Sequence, residues 1–167
     1  MGLDSFLSST KSFYSGDTVT KPDTRNESLA FEKIRKAINV PLNLFDKHSP
    51  SIKVSCAVAY WRKANAIHAW FVRECQDGED DCRISYVPRE KLETLRDLCV
   101  EITNQKSLAN KRKMAKKNLP TQPGFFFGST EYNEWYWANL EYTAETLTKI
   151  LESAELKDHE FSYFGSW

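Results

Sequence analysis

The 167-residue chain is 41% apolar and 13% aromatic, which gives it the side chains of a real core and excludes long disorder. Its 23 basic and 23 acidic side chains cancel, which excludes a binder of nucleic acid or membrane that works by whole-molecule charge. No apolar run approaches the roughly 20 residues of a spanning helix, so no membrane partner is expected.

The length predicts a single domain over 1–167, with a variable, loop-rich part at 8–50 and a motif-bearing core at 54–167. Residues 2–7 read as a short strand, and 8–27, rich in Ser, Thr, Asp and Asn, as a loop. A helix over about 29–39 follows, capped by Asn26 or Ser28, with Leu29, Ile34 and Ile38 on one side; Pro41 ends it. A second loop runs to Pro50, and Ile52 to Val58 alternate as a strand does.

Helical spacing then predicts a helix over about 57–75, with Ala57, Trp61, Ala64, Ile67 or His68, and Phe71 recurring on it. Asp77-Gly78 stops it. Ile84 to Val87 read as a strand, and Pro88 opens a helix over about 88–105 whose Leu92, Leu95, Cys99 and Ile102 form an apolar stripe. The basic stretch 106–117 and the Pro120, Pro123 and Gly124 segment read as a linker-like loop. Phe125 to Phe127 read as a short buried strand or packed loop. Ser129 or Thr130 caps a helix over about 131–155, with Tyr136, Leu140, Ala144, Leu147, Leu151 and Ala154 inward, and 159–164 closes as a strand. The fold class expected is α+β, a small, largely antiparallel sheet covered by three to four helices.

Charge is uneven within this neutral chain. Lys106, Lys111, Arg112, Lys113, Lys116 and Lys117 fall in one stretch without an acid, leaving 17 basic side chains against 23 acidic ones elsewhere. The stretch is a solvated face or a contact for phosphate or an acidic partner. The four cysteines, Cys56, Cys75, Cys82 and Cys99, form no C-x-x-C pair, so no zinc site is expected. The Met1-Gly2-Leu3-Asp4 start lacks the basic and apolar regions of a signal peptide, and a reduced, cytoplasmic setting with free thiols follows, Cys75 and Cys82 being the pair that oxidation could bridge. The acidic Gln76–Asp81 loop has its glycine in the wrong place for an EF-hand.

Two segments hold four of the five tryptophans: Tyr60 to Phe71, and Leu119 to Trp137. On a helical wheel Trp61, Asn65, His68 and Val72 share a stripe, and a core stripe seldom carries both Asn and His. They are either a satisfied structural network or a pocket wall. In the second case Trp61, Tyr132 and Trp135 stack a planar ligand and Arg62 and Lys63 take phosphate. Asn65, His68, Gln122, Ser129, Thr130 and Glu134 then supply polar contacts. Gly128-Ser129-Thr130 is neither a Walker loop nor a dinucleotide fingerprint, and no hydrolase or deaminase motif is present. Binding without a cofactor is therefore expected ahead of catalysis, with His68 and Glu134 as the acid/base pair of the enzymatic alternative.

The Met-Gly-Leu-Asp start, the Tyr60-Trp61-Arg62-Lys63…Asn65…Ile67-His68…Trp70-Phe71 motif with its Gln76–Cys82 loop, the Leu119–Tyr136 segment and the closing Ser166-Trp167 resemble those of a family of phage and prophage proteins. The match covers 1–7 and 54–167; residues 8–50 depart from it. The resemblance carries no catalytic residues over. It implies a counter-defence protein in the host cytoplasm that sequesters a nucleotide-like small molecule, or a protein–protein inhibitor of a host defence complex, with a homo-oligomer compatible with either.

Overall fold

The protein is described here by a computed structural model covering residues 2–15, 25–45 and 50–167. Among the described residues the fold is α+β: a four-stranded antiparallel sheet with five α-helices. The strands are β1 (Asp4–Tyr14), β2 (Ser51–Arg62), β3 (Ser85–Val87) and β4 (Glu160–Ser166), in the order β2-β1-β4-β3. The helices are α1 (Arg25–Ala37), α2 (Asn65–Cys75), α3 (Arg89–Thr103), α4 (Leu108–Asn118) and α5 (Glu134–Glu152). The chain divides into two compact units, one of Met1–Ser9 with Ala57–Trp167, the other of Thr10–Cys56.

In the larger unit, α3 and α5 bury one stripe each, and α2 is buried on most of its circumference. Leu92, Leu95, Cys99 and Ile102 of α3 are all fully buried, as their spacing predicts. They meet Leu140, Ala144 and Leu147 of α5, together with Ile67, Trp70 and Phe71 of α2. Phe161 and Tyr163 reach this core from β4, whose register sets Tyr163 opposite Ser85 of β3. The Phe71 and Tyr163 rings stack at 4.1 Å. In the smaller unit, Phe31 of α1 is buried and meets Phe45 edge-on at 5.3 Å, while Arg35 binds the Val40 carbonyl and Glu32.

Several expectations are corrected. Residues 8–14 continue β1 and are not loop. Leu29 and Ile38 are exposed, and Phe31 is buried; Asn26 and Ser28 lie within the bounds of α1 and do not precede it. The predicted loops at 16–24 and 46–49, with His48, lie outside the described residues. The basic stretch is not a linker. It forms α4, because Lys and Arg are good helix formers, Ser107 caps the first turn, and Ala115 and Leu119 give it an apolar anchor. The 131–155 helix starts at Glu134 and is capped by Asn133, not by Ser129 or Thr130. In the Phe run only Phe127 is buried; Phe125 and Phe126 are exposed, because a turn with positive φ at Phe126 sends the two outward.

All four thiols are free, Cys75 and Cys82 included. Burial pushes Cys75 up to about 11 and Cys99 up to about 12, whereas Cys56 is exposed. At pH 8 these two thiols are almost wholly protonated. Iodoacetamide at that pH is expected to label Cys56 at least about 10-fold faster than Cys75 or Cys99, and all four at similar rates in denaturant. Peptide mapping over time checks this, and equal labelling of Cys99 and Cys56 in the native protein would contradict the burial.

Candidate functional site

Alternation builds the first wall of the site. Near the end of β2, Ala59 and Trp61 point inward and Tyr60 and Arg62 outward. The predicted helix over 57–75 is thus corrected at its start: 57–62 are strand, Ala57 is exposed, and α2 begins only at Asn65. Trp61 therefore does not share a helical stripe with Asn65 and His68. It is core, 2% exposed, with its indole N–H donating to Thr143 Oγ1 at 2.9 Å.

Between strand and helix the chain turns through Lys63, held at φ 56°. Gly128, at φ 92°, lies against this corner. A Cβ there would sit 3.0 Å from Lys63 Cβ and 3.2 Å from its carbonyl oxygen, so the approach requires glycine. Asn65 fixes the facing loop. Its amide nitrogen donates to the carbonyls of Phe127 at 3.2 Å and Ser129 at 2.9 Å, and its oxygen accepts from the Gln122 N–H at 3.2 Å.

These elements and the first turns of α5 enclose a cavity of about 420 Å³. Of the predicted site residues, Arg62, Lys63, Asn65, Ser129 and Trp135 line it, with Glu131, Asn133 and Asn139. Arg62 and Lys63 are exposed and form no ion pair among the described residues. Ala64 to Ile67, the N-terminal turn of α2, form the floor. No side chain caps that turn and no acid lies in it, so the positive end of the helix dipole faces the cavity beside two cations. Trp135 is 79% exposed at the rim, an indole face without a partner in the core.

The other predicted residues lie elsewhere. His68 is 1% exposed and is not on the cavity wall; Nδ1 meets Tyr163 Oη at 2.7 Å and Nε2 meets Asp80 Oδ2 at 2.9 Å. With Nε2–H donated to the carboxylate, Nδ1 accepts from the tyrosine hydroxyl. Trp167 donates to the second oxygen of Asp80, so the network clasps the 76–83 loop and the C-terminal tryptophan to α2. Gln122 takes part through its backbone. Thr130 accepts from Thr121 Oγ1 through its carbonyl, and the Tyr132 hydroxyl accepts from Thr121 N–H. Tyr132 and Glu134 line a second, more open recess with Arg112, Trp135 and Trp137.

Asn133 and Asn139 were missed, whereas Arg112 belongs to the basic stretch already read as a solvated face or a phosphate contact. Asn139 lies four residues beyond Trp135, so the flank of the α5 stripe carries the signal for it. The acidic loop holds its own counter-ion, since Arg83 lies 3.3 Å from Glu79 and 3.7 Å from Asp77 and Asp81. Among the described residues no group of three metal-ligating side chains occurs, and no helix is long and apolar enough to cross a membrane. Comparisons with protein-family models, curated proteins and solved structures returned no match.

Proposed function

We propose that the protein binds a nucleotide-like small molecule in the cavity between the β2–α2 corner and α5, and holds it without turnover. The observation that carries this reading is one cavity joining two cations that form no ion pair among the described residues, an uncapped helix N-terminus and an exposed tryptophan. A phosphate suits the floor, which is the N-terminal turn of α2, with Arg62 and Lys63 among the lining residues. A planar base suits the Trp135 face. Asn133, Asn139, Ser129 and Glu131 offer donors and acceptors for sugar and base edges. The cavity volume lies in the lower range for small-molecule sites and matches one nucleotide unit. Among the described residues no histidine or cysteine lines it, and both His68 nitrogens are occupied in the core, which favours capture over acid/base chemistry. In the setting implied by the phage resemblance, the captured molecule is a nucleotide defence signal.

Titration calorimetry with nucleoside mono-, di- and triphosphates tests the proposal. Binding is expected, weakened on the order of 10-fold or more by Arg62→Ala and by Lys63→Ala, each removing one charge-assisted contact. An ordered protein that binds none of these ligands would sink it. The runner-up, a protein–protein inhibitor, draws on Phe125 and Phe126, exposed side by side at 4.2 Å on the 124–128 turn. Under that reading Phe125→Ser abolishes capture of a partner and Arg62→Ala does not.

A further inference from the structure

We infer that the ligand carries two nucleotide units joined through phosphodiester linkage, one on each side of Trp135. This rests on the proposed nucleotide cavity and specifies its ligand. Trp135 and Asn133 belong to both recesses: the cavity at the α2 N-terminus and the more open one, also about 420 Å³, between α4 and the start of α5. Each recess lies toward the lower end of the range for a small-molecule site, a size that suits one unit.

The two recesses repeat the same chemistry. The first has Arg62 and Lys63, the second Arg112, and none of the three is in an ion pair among the described residues. Around the second recess, cations lie over rings. Lys111 Nζ lies 5.7 Å from the Trp137 ring and Lys116 Nζ 5.9 Å from that of Tyr132. Each recess also holds one glutamate, Glu131 in the first and Glu134 in the second, an acceptor for an exocyclic amine of a base. An indole exposed at 79% between two cationic recesses presents itself to stack one base and to brace the linkage to the next. A linear and a cyclic dinucleotide share this chemistry.

Calorimetry on the full chain distinguishes the outcomes. The probes are adenosine and guanosine monophosphates, their linear and cyclic dinucleotides, and a linear tetranucleotide. The linear or the cyclic dinucleotide is expected to bind at least about 10-fold tighter than its mononucleotide, because the second unit binds at high effective concentration. Arg112→Gln is expected to bring the dinucleotide-to-mononucleotide affinity ratio close to one, with the thermal melt confirming an intact fold. Whichever dinucleotide shows the gain identifies the source. Equal affinity for one and two units, or a ratio that Arg112→Gln leaves unchanged, overturns the inference while Arg62-dependent mononucleotide binding keeps the cavity reading standing. A further gain with the tetranucleotide overturns the two-unit limit in favour of single-stranded nucleic acid along α4. Binding of no nucleotide removes both proposals together.

Discussion

Asn65→Leu is expected to destabilise the protein by about 3 kcal/mol and to release the 122–129 loop from α2. The leucine keeps the bulk of a side chain that is 3% exposed but makes none of its three hydrogen bonds. The Gln122 N–H and the Phe127 and Ser129 carbonyls then lose their partner, and an unsatisfied buried polar group costs about 1–3 kcal/mol. Water reaches part of the exposed loop, which brings the sum down toward the lower figure. Asn65→Asp is expected to do no better, because a carboxylate faces the two carbonyls as a second acceptor. Urea unfolding of both variants gives the cost, and amide exchange at 122–129 locates it. A loss under about 1 kcal/mol with an unchanged loop would mean that the tether is not what holds the cavity wall. Ligand affinity, if the proposed function holds, falls in both variants although neither removes a cation.

The second large effect is at His68. His68→Leu leaves the Tyr163 hydroxyl buried without its acceptor and frees Asp80 from α2; the expected loss is about 3 kcal/mol. Burial already pushes the Tyr163 hydroxyl well above its ordinary range, so it stays protonated and cannot relieve the loss by ionising. Tyr163→Phe removes the orphaned hydroxyl, so the double variant His68→Leu, Tyr163→Phe is expected to recover part of the cost. The two single losses then sum to more than the double loss. Strict additivity would show that the bond contributes nothing. Gly165 belongs to the same packing. A Cβ there would sit 2.9 Å from His68 Cε1 and 3.0 Å from Nδ1, so Gly165→Ala is expected to displace the ring and cost a comparable amount.

Much of the helical layer was legible because its apolar residues recur at one period over several turns. The α3 stripe of Leu92, Leu95, Cys99 and Ile102 and the α5 stripe from Tyr136 to Leu147 are both buried as spaced. The β2–α2 corner was not legible. Ala57, Trp61, Ala64 and Phe71 fit a helical period, yet the same run holds the two-residue alternation of Ala59 and Trp61, and only packing against the sheet chose between them. The break falls at Lys63 in left-handed φ, a position that neither glycine nor proline marks in the sequence.

The sequence by itself determined the α+β class, the apolar faces of α3 and α5, and the two segments from which the candidate site is drawn. Each follows from local periodicity and composition, which are properties of neighbouring residues. Only the tertiary structure decided which polar residues of those segments face the cavity. It turned Trp61 and His68 into core, because each found a buried hydrogen-bond partner, 82 residues away in Thr143 and 95 residues away in Tyr163. It used Asn65 to hold a loop and left Arg62, Lys63 and Trp135 outward. A polar side chain is structural or available according to whether a distant donor or acceptor reaches it, and that pairing is fixed only when the chain has folded.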